Sequence, residues 1–305
     1  MALRVTQGML NMQLVRNLNA NYMRFDKWQE QSATGRKINR PSDDPVGITY
    51  SLRYRSELSA NVQYQKNVDA ALSWLGFTDT LLNQAGDVLQ RARELSVNAA
   101  NGTNPDNAMD AIMQEMVELK QQLIDVANSK LNGKYVFNGQ FTDQQPYPSV
   151  DDVAAGITAA GAITDPRLVQ FEVSLGVKMP VNLTGNDVFG QPNANDNAFA
   201  ILDDLITALS NNNHTDVSAI LDRMDTRMDE FLSIRAEIGA KVNRIELMES
   251  RLTDLSLNLE TLQGKTEDAD LAELIMRLKM DENIYQAALS AGSRIIRPSL
   301  VDFLR

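Results

Sequence analysis

From Ile245 the apolar residues Ile245, Met248, Leu252, Leu255, Leu259 and Leu262 recur at alternating spacings of three and four. A stripe that narrow is buried only by another helix, so it commits this part of the chain to coiled-coil-like packing. Phe231, Ile234 and Ile238 extend the register upstream, and Lys241 interrupts it with an aliphatic stem that can lie along a seam. The same spacing returns at Ile112, Met116, Leu119, Leu123 and Val126, and at Val15, Leu18, Tyr22 and Phe25. Val68, Leu72, Leu75, Leu82 and Leu89 follow it less completely, with Asp79 and Gly86 in seam positions. Four stretches thus carry stripes suited to a helical partner, and spacing alone leaves open whether that partner is in the same chain or another.

The breakers place the helix ends. Gly35, followed by Arg36 and Lys37, predicts the stop of a first helix, because glycine enters the left-handed region freely and cations suit a carbonyl end. In Arg40-Pro41-Ser42-Asp43-Asp44-Pro45 each proline disfavours helix in the residue before it, so Asp44 is expected to cap a new helix that has Pro45 at its first position. No proline occurs from Val46 to Asn104, which predicts a second helix running to about residue 100, on the order of 80 Å long. Asn101-Gly102-Thr103-Asn104-Pro105 turns the chain into a third helix ending near Ser129, and helical spacing resumes from Asp196. Gly264-Lys265-Thr266 reads as a break followed by a new start.

The middle has another period. Val169, Phe171, Val173, Leu175 and Val177 alternate with polar or small residues, as in a half-buried strand, and Tyr135 to Phe141 offers a second. The expected fold is therefore mainly α: a long antiparallel helical rod, a coiled-coil-like bundle, with a small β-rich inserted domain and helical terminal segments. The expected division is 1–42 with 265–305 as terminal segments, 43–142 with 193–264 as the rod, and 143–192 as the insertion.

Composition removes several chemistries. The 305 residues include no cysteine and one histidine, so disulfides, thiol nucleophiles and the Cys- or multi-His metal sites are excluded. No stretch approaches the roughly 18 apolar residues of a membrane span, and the first residues lack the apolar core of a secretory signal. Residues 1–66 hold ten basic and five acidic groups, spread too thinly to track phosphates, whereas 140–230 hold four and fourteen. No nucleic-acid or membrane partner is expected.

Each candidate site has a plainer reading. Gly264-Lys265-Thr266 lacks the glycine five residues earlier that a phosphate loop requires, Leu259 standing there. His214 lies between two helices without a nucleophile elbow. Glu267, Asp268, Asp270 and Glu273 fit a helix start, Asp270 and Glu273 having capping-box spacing, and Asp43 with Asp44 fits a proline-flanked turn. Neither an enzyme nor a cofactor or metal site is expected.

The motifs Gln31-Ser32-Ala33-Thr34-Gly35-Arg36-Lys37-Ile38-Asn39-Arg40-Pro41-Ser42-Asp43-Asp44-Pro45-Val46-Gly47, Arg93-Glu94-Leu95 and Ala99-Ala100-Asn101-Gly102-Thr103 resemble the N-terminal region of the bacterial flagellin superfamily. Tyr135-Val136-Phe137-Asn138-Gly139, Asp268-Ala269-Asp270-Leu271-Ala272-Glu273, Tyr285-Gln286-Ala287-Ala288-Leu289 and the ending Ser299-Leu300-Val301-Asp302-Phe303-Leu304 are similar to its hook-associated branch. The resemblance covers about 1–142 and 200–305. It implies a structural adaptor at the hook–filament junction, exported without a cleaved signal peptide through the flagellar type III channel and extracellular in the flagellum. Implied partners are a hook-side junction protein (hook-associated protein 1), flagellin, copies of itself in a ring, and a flagellar export chaperone. The implied subunit-packing residues are Val15, Leu18, Tyr22, Phe25, Leu271, Leu274, Ile275, Leu278, Leu300, Phe303 and Leu304; the structural turn is Pro41, Asp43, Asp44 and Pro45; the rod seam is Ile245 to Leu262. Flagellin itself is the alternative, and a cytosolic coiled-coil binding module the one from another class.

Overall fold

The computed structural model describes residues 7–101, 105–148 and 158–295. Seven helices account for most of them: α1 (Gln7–Thr34), α2 (Pro45–Ala100), α3 (Asp106–Ala127), α4 (Gly185–Phe189), α5 (Ala198–Ser210), α6 (His214–Glu267) and α7 (Leu271–Ile295). Two antiparallel hairpins, β1 (Lys130–Leu131) with β2 (Lys134–Tyr135) and β3 (Gln170–Ser174) with β4 (Val177–Pro180), and a 3₁₀ turn at Ala159–Gly161 complete the described elements. The fold is mainly α, and among the described residues the sheets are these two small ones.

Local chemistry sets the ends. α1 stops at Gly35, whose φ of 69° is left-handed. Asp44 Oδ1 accepts from the amides of Val46 at 3.1 Å and Gly47 at 2.9 Å, so the carboxylate satisfies orphan donors at the start of α2. Asn197 Oδ1 does the same for Phe199 and Ala200 at the start of α5. The expected break at Gly264 falls three residues later, because α6 continues to Glu267. The Asp268 carboxylate folds back over Gly264, where a Cβ would lie 2.8 Å from its Oδ2, so the missing Cβ makes room for that carboxylate while the helix continues.

The chain divides into a terminal unit (Met1–Ala60 with Leu255–Arg305) and a central unit (Asn61–Asp254). In the central unit, α3 lies against α5, with Lys120 paired to Asp203. Leu82, Leu89, Met116, Leu123, Phe199, Leu202 and Leu205 form its interior. Segment 143–192 shares that interior. Tyr147 and Phe189 meet Phe137 and Phe199 in one aromatic cluster with ring centroids 4.8 to 5.7 Å apart. The division thus differs from the expected one, because apolar side chains from the insertion complete the helical core instead of closing over a core of their own.

The run Val169 to Val177 is a hairpin, not one strand. Leu175 and Gly176 form its tip, with Gly176 at φ 73° and Leu175 84% exposed. Tyr135 to Phe141 gives only the end of β2, joined to β1 by Asn132-Gly133 with φ of 51° and 81°, the twist a two-residue hairpin loop requires. Beyond it, Gly139 has φ 55° and passes so close to the Asp165 carbonyl that a Cβ would lie 2.1 Å away, while Phe137 is fully buried.

The seam of α6 follows the expected register to Leu252 and then shifts by one residue. Ile245, Leu252 and Leu259 are buried and Met248 half-buried, but Leu255 and Leu262 are 45% and 43% exposed, and Ser256 and Gln263 take the inward positions. From Leu252 the inward residues are Ser256, Leu259, Gln263 and Glu267, so the inward steps lengthen, Leu259 stays inside and Leu255 and Leu262 are left outside.

Candidate assembly surface on the terminal helix pair

In the terminal unit α1 and α7 pack against each other. The inward residues of α1 are Asn11, Leu14, Leu18, Asn21, Phe25 and Trp28, and those of α7 are Leu274, Leu278, Asp281, Tyr285, Ala288 and Gly292. Both sets alternate by three and four, so each helix turns one heptad seam to the other. At one point the helices come close enough that a Cβ on Gly292 would lie 2.8 Å from Leu14 Cδ2. At another, Trp28 Nε1 donates to Asp281 Oδ2 at 2.9 Å, the Arg24 guanidinium stands 3.7 Å from the same oxygen, and Arg277 lies over the indole, 5.1 Å from its centroid. A buried carboxylate with a single good indole donor penalises any sliding of one helix along the other, so this contact specifies register.

The expected packing residues divide between two faces. Leu18, Phe25, Leu274 and Leu278 belong to the seam inside the chain, whereas Val15 and Tyr22 are 55% and 56% exposed and Leu271 and Ile275 are exposed as well. Met12, Met23, Met276 and Met280 join the outward set. The pair therefore satisfies one apolar seam internally and, among the described residues, leaves a second set of apolar side chains exposed, of which Tyr22 still touches Tyr285 at its edge with ring centroids 6.2 Å apart. Leu300, Phe303 and Leu304 lie outside the described residues.

The turn that leads from α1 into α2 is held by charge. Asp43 Oδ2 accepts from the amides of Asn39 and Arg40, and its Oδ1 lies 3.0 Å from Lys27 Nζ. The Lys27 contact, aided by those amides, holds the Asp43 pKa below the usual carboxylate value. Pro41 is exposed and Pro45 opens α2. Gly47 lets the Asp44 carboxylate and Ile38 close over the start of α2, because a Cβ there would lie 2.6 Å from Ile38 Cδ1 and oblige both side chains to shift. Asp43 and Asp44 are thus occupied with main-chain amides and a lysine.

The acidic cluster after Gly264 is likewise engaged. Asp270 Oδ1 accepts from the amides of Ala272 and Glu273 at the start of α7, and Glu267 is buried among Ser51, Arg55, Arg36 and Gln263. His214 Nδ1 is 2.8 Å from the Ala99 carbonyl oxygen, tying the start of α6 to the end of α2. Among the described residues no three His, Asp or Glu side chains are placed to hold a metal, and no helix is long and apolar enough to cross a membrane.

Reading for apolar spacing alone misses Asn11, Asn21 and Asp281, because polar residues occupy three of the twelve inward positions, and it stops at Phe25, one step short of Trp28. Continuing the three-and-four spacing backward from Trp28 would have found the inward face of α1.

Residues 5–142 match the bacterial flagellin N-terminal helical region and 221–304 the bacterial flagellin C-terminal helical region. The chain is 25% identical over 311 aligned residues to flagellar hook-associated protein 3 of Escherichia coli, covering 95% of this chain and 96% of that one. It is 26% identical to the Salmonella typhimurium protein of the same name, covering 91% of each. Flagellin of Bacillus subtilis is also similar, at 25% identity over 94% of each chain. Among solved structures, a flagellar hook-associated protein from Vibrio parahaemolyticus superposes with a TM-score of 0.67 at 23% identity, covering 74% of this chain and all of that one. Hook-associated protein 3 of Legionella pneumophila superposes with a TM-score of 0.62 at 16% identity, covering 70% and 97%. With both helical regions matched and the fold shared, the chain belongs to the bacterial flagellin superfamily of flagellar structural proteins and is similar there to flagellar hook-associated protein 3.

Proposed function

We propose that this chain is a non-enzymatic structural adaptor at the hook–filament junction, joining the hook-side junction protein to the flagellin filament. The observation that carries the reading is the second, outward apolar seam of the α1·α7 pair, led by Val15, Tyr22, Leu271 and Ile275. A surface of that kind is stable in water only when covered, and a ring of identical chains covers it by repetition. Near full-length similarity to flagellar hook-associated protein 3 in two organisms supports placing the ring at the junction. In this reading the chain is exported unprocessed through the flagellar type III channel with an export chaperone and ends outside the cell in the flagellum.

The test is localisation in assembled flagella. Cells lacking the native gene are complemented with an epitope-tagged chain, and gold-labelled antibody is scored along the flagellum. Label at one position at the filament base supports the adaptor; label along the filament makes the chain a flagellin; filaments that grow without it remove both readings. Val15→Asp with Ile275→Asp should leave the monomer folded and abolish incorporation.

A further inference from the structure

Leu175 departs from local turn chemistry. It is 84% exposed at the tip of the β3–β4 hairpin, where glycine, proline, asparagine, aspartate or serine is the favoured choice. The hairpin beneath it is firmly held. Val173 and Met179 are buried in one cluster with Val68 and Ile245, Asn67 Nδ2 donates to the Glu172 carbonyl at 2.8 Å, and the Gly176 amide donates to Glu172 Oε1 at 3.2 Å. A local preference overridden at a rigid, exposed position points to a contact made outside the monomer.

The complementary shape lies on the same central unit. Gly86 stands at a seam position of α2, and its missing side chain leaves a depression of about 220 Å³ walled by Leu89, Met228, Phe231 and Leu232. A Cβ on Gly86 would make ordinary contact with Phe231 at 3.4 Å, so packing inside the chain does not require the glycine. The depression has room for an aliphatic side chain, and the chain's own hairpin cannot supply it. Glu172 is tied to Asn67, and Gly86 lies about 28 Å further along α2. Trp74 sits beside Val169 and Phe171, so β3 runs back along α2 and carries its tip away from Gly86. The charges match as well. Lys178, exposed beside the tip, and Asp87, exposed on the rim of the depression, have no ion-pair partner among the described residues.

We propose that Leu175 of one copy seats in the Gly86 depression of a second copy of this chain, with Lys178 paired to Asp87 across the contact. Knob and hole are different surfaces, so the contact is head-to-tail, and its repetition gives a ring wherever the rotation closes. This rests on the reading of the chain as one of a ring of copies, and it names the faces by which their central units meet. Steric fit selects the partner, and the charge pair sets the orientation.

The experiment uses cysteine pairs, which a cysteine-free chain permits. Cells lacking the native gene make the epitope-tagged full-length chain with Leu175→Cys and Gln90→Cys together, or with either alone; detached flagella are oxidised and run on gels without reductant. The pair is expected to give a ladder of multimers beyond the dimer that collapses on reduction, and each single variant nothing larger than a dimer. Gly86→Leu fills the hole and should melt no lower than the wild type, because glycine is unfavourable inside a helix, yet enter flagella more than about tenfold less. Asp87→Lys should also lower incorporation, and adding Lys178→Asp should restore it, a rescue that requires both charges to belong to copies of one chain. A pair variant that labels the filament base but gives no ladder would overturn the contact and leave the adaptor reading standing. Normal incorporation of Gly86→Leu, or failure of the charge swap to rescue Asp87→Lys, would overturn it too. Absence of the tagged wild-type chain from flagella would overturn both readings.

Discussion

Phe189→Ala tests whether segment 143–192 is part of the central core or an ornament upon it. Phe189 is fully buried at the end of α4, with Phe137 edge-on at 5.5 Å, Tyr147 edge-on at 5.7 Å and Phe199 tilted at 5.3 Å. Truncating a buried phenylalanine costs about 3–5 kcal/mol, with the three ring contacts included in that figure. Collapse is resisted here by Phe137 just after β2, Phe199 in α5 and Tyr147 in the loop that follows β2, so the upper half of the range is expected. For a unit of about 200 residues each kcal/mol moves the melting temperature by roughly 2–4 °C, which places the shift at about 8–20 °C. The chain has two tryptophans, Trp28 in the terminal unit and Trp74 in the central one. A Trp28→Phe background therefore leaves Trp74 as the only indole reporter, and its thermal transition follows the central helices. Leu175→Ala, at the exposed hairpin tip, is the control and should not move that transition. A Trp74 transition in Phe189→Ala within about 1 °C of its parent would refute the shared core, because it would mean that the helices melt without regard to the segment.

Leu252→Ala removes a buried seam residue and should cost about 2–5 kcal/mol in urea unfolding, whereas Leu255→Ala, three residues on and exposed, should cost less than about 1; equal effects would contradict the shifted register. Trp28→Phe leaves Asp281 without its indole donor and should destabilise the terminal unit by about 1–3 kcal/mol, read by hydrogen exchange across α1 and α7. Burial by itself would raise the Glu267 pKa, but hydrogen bonds from Arg55 and Ser51 outweigh it and the folded-state value is lowered. The stabilisation it supplies is therefore full above the ordinary glutamate value of about 4.3 and is lost as pH falls through the lowered folded value. Trp28 fluorescence in a Trp74→Phe background should report loosening of the terminal unit only below about pH 4, and Glu267→Gln should remove that acid step.

The features legible in the residues are those governed by short-range rules. Gly35 in a left-handed turn, Asp44 as a cap before Pro45, and the uninterrupted run of α2 each depend on two to five neighbouring residues. A local steric or hydrogen-bonding preference acts there without competition. The turn at Leu175-Gly176 was less legible, because alternation of apolar residues continues through a hairpin tip as readily as along a strand. Helix faces were decided only in three dimensions. α1 carries Val15 and Tyr22 one residue beyond Leu14 and Asn21, and the apolar spacing of Val15, Leu18, Tyr22 and Phe25 straddles two faces; the position of α7 turns Leu14, Asn21 and Trp28 inward and leaves Val15 and Tyr22 outside. In α6 the same holds for Leu255 against Ser256. Tertiary structure likewise placed Tyr147 and Phe189 among the helices and gathered Arg36, Ser51 and Arg55 around Glu267 across more than two hundred residues of chain. A periodic pattern states how much apolar surface a helix has to cover. Which residues are covered depends on where the partner lies, and that is fixed by the fit of distant side chains rather than by the neighbours in sequence.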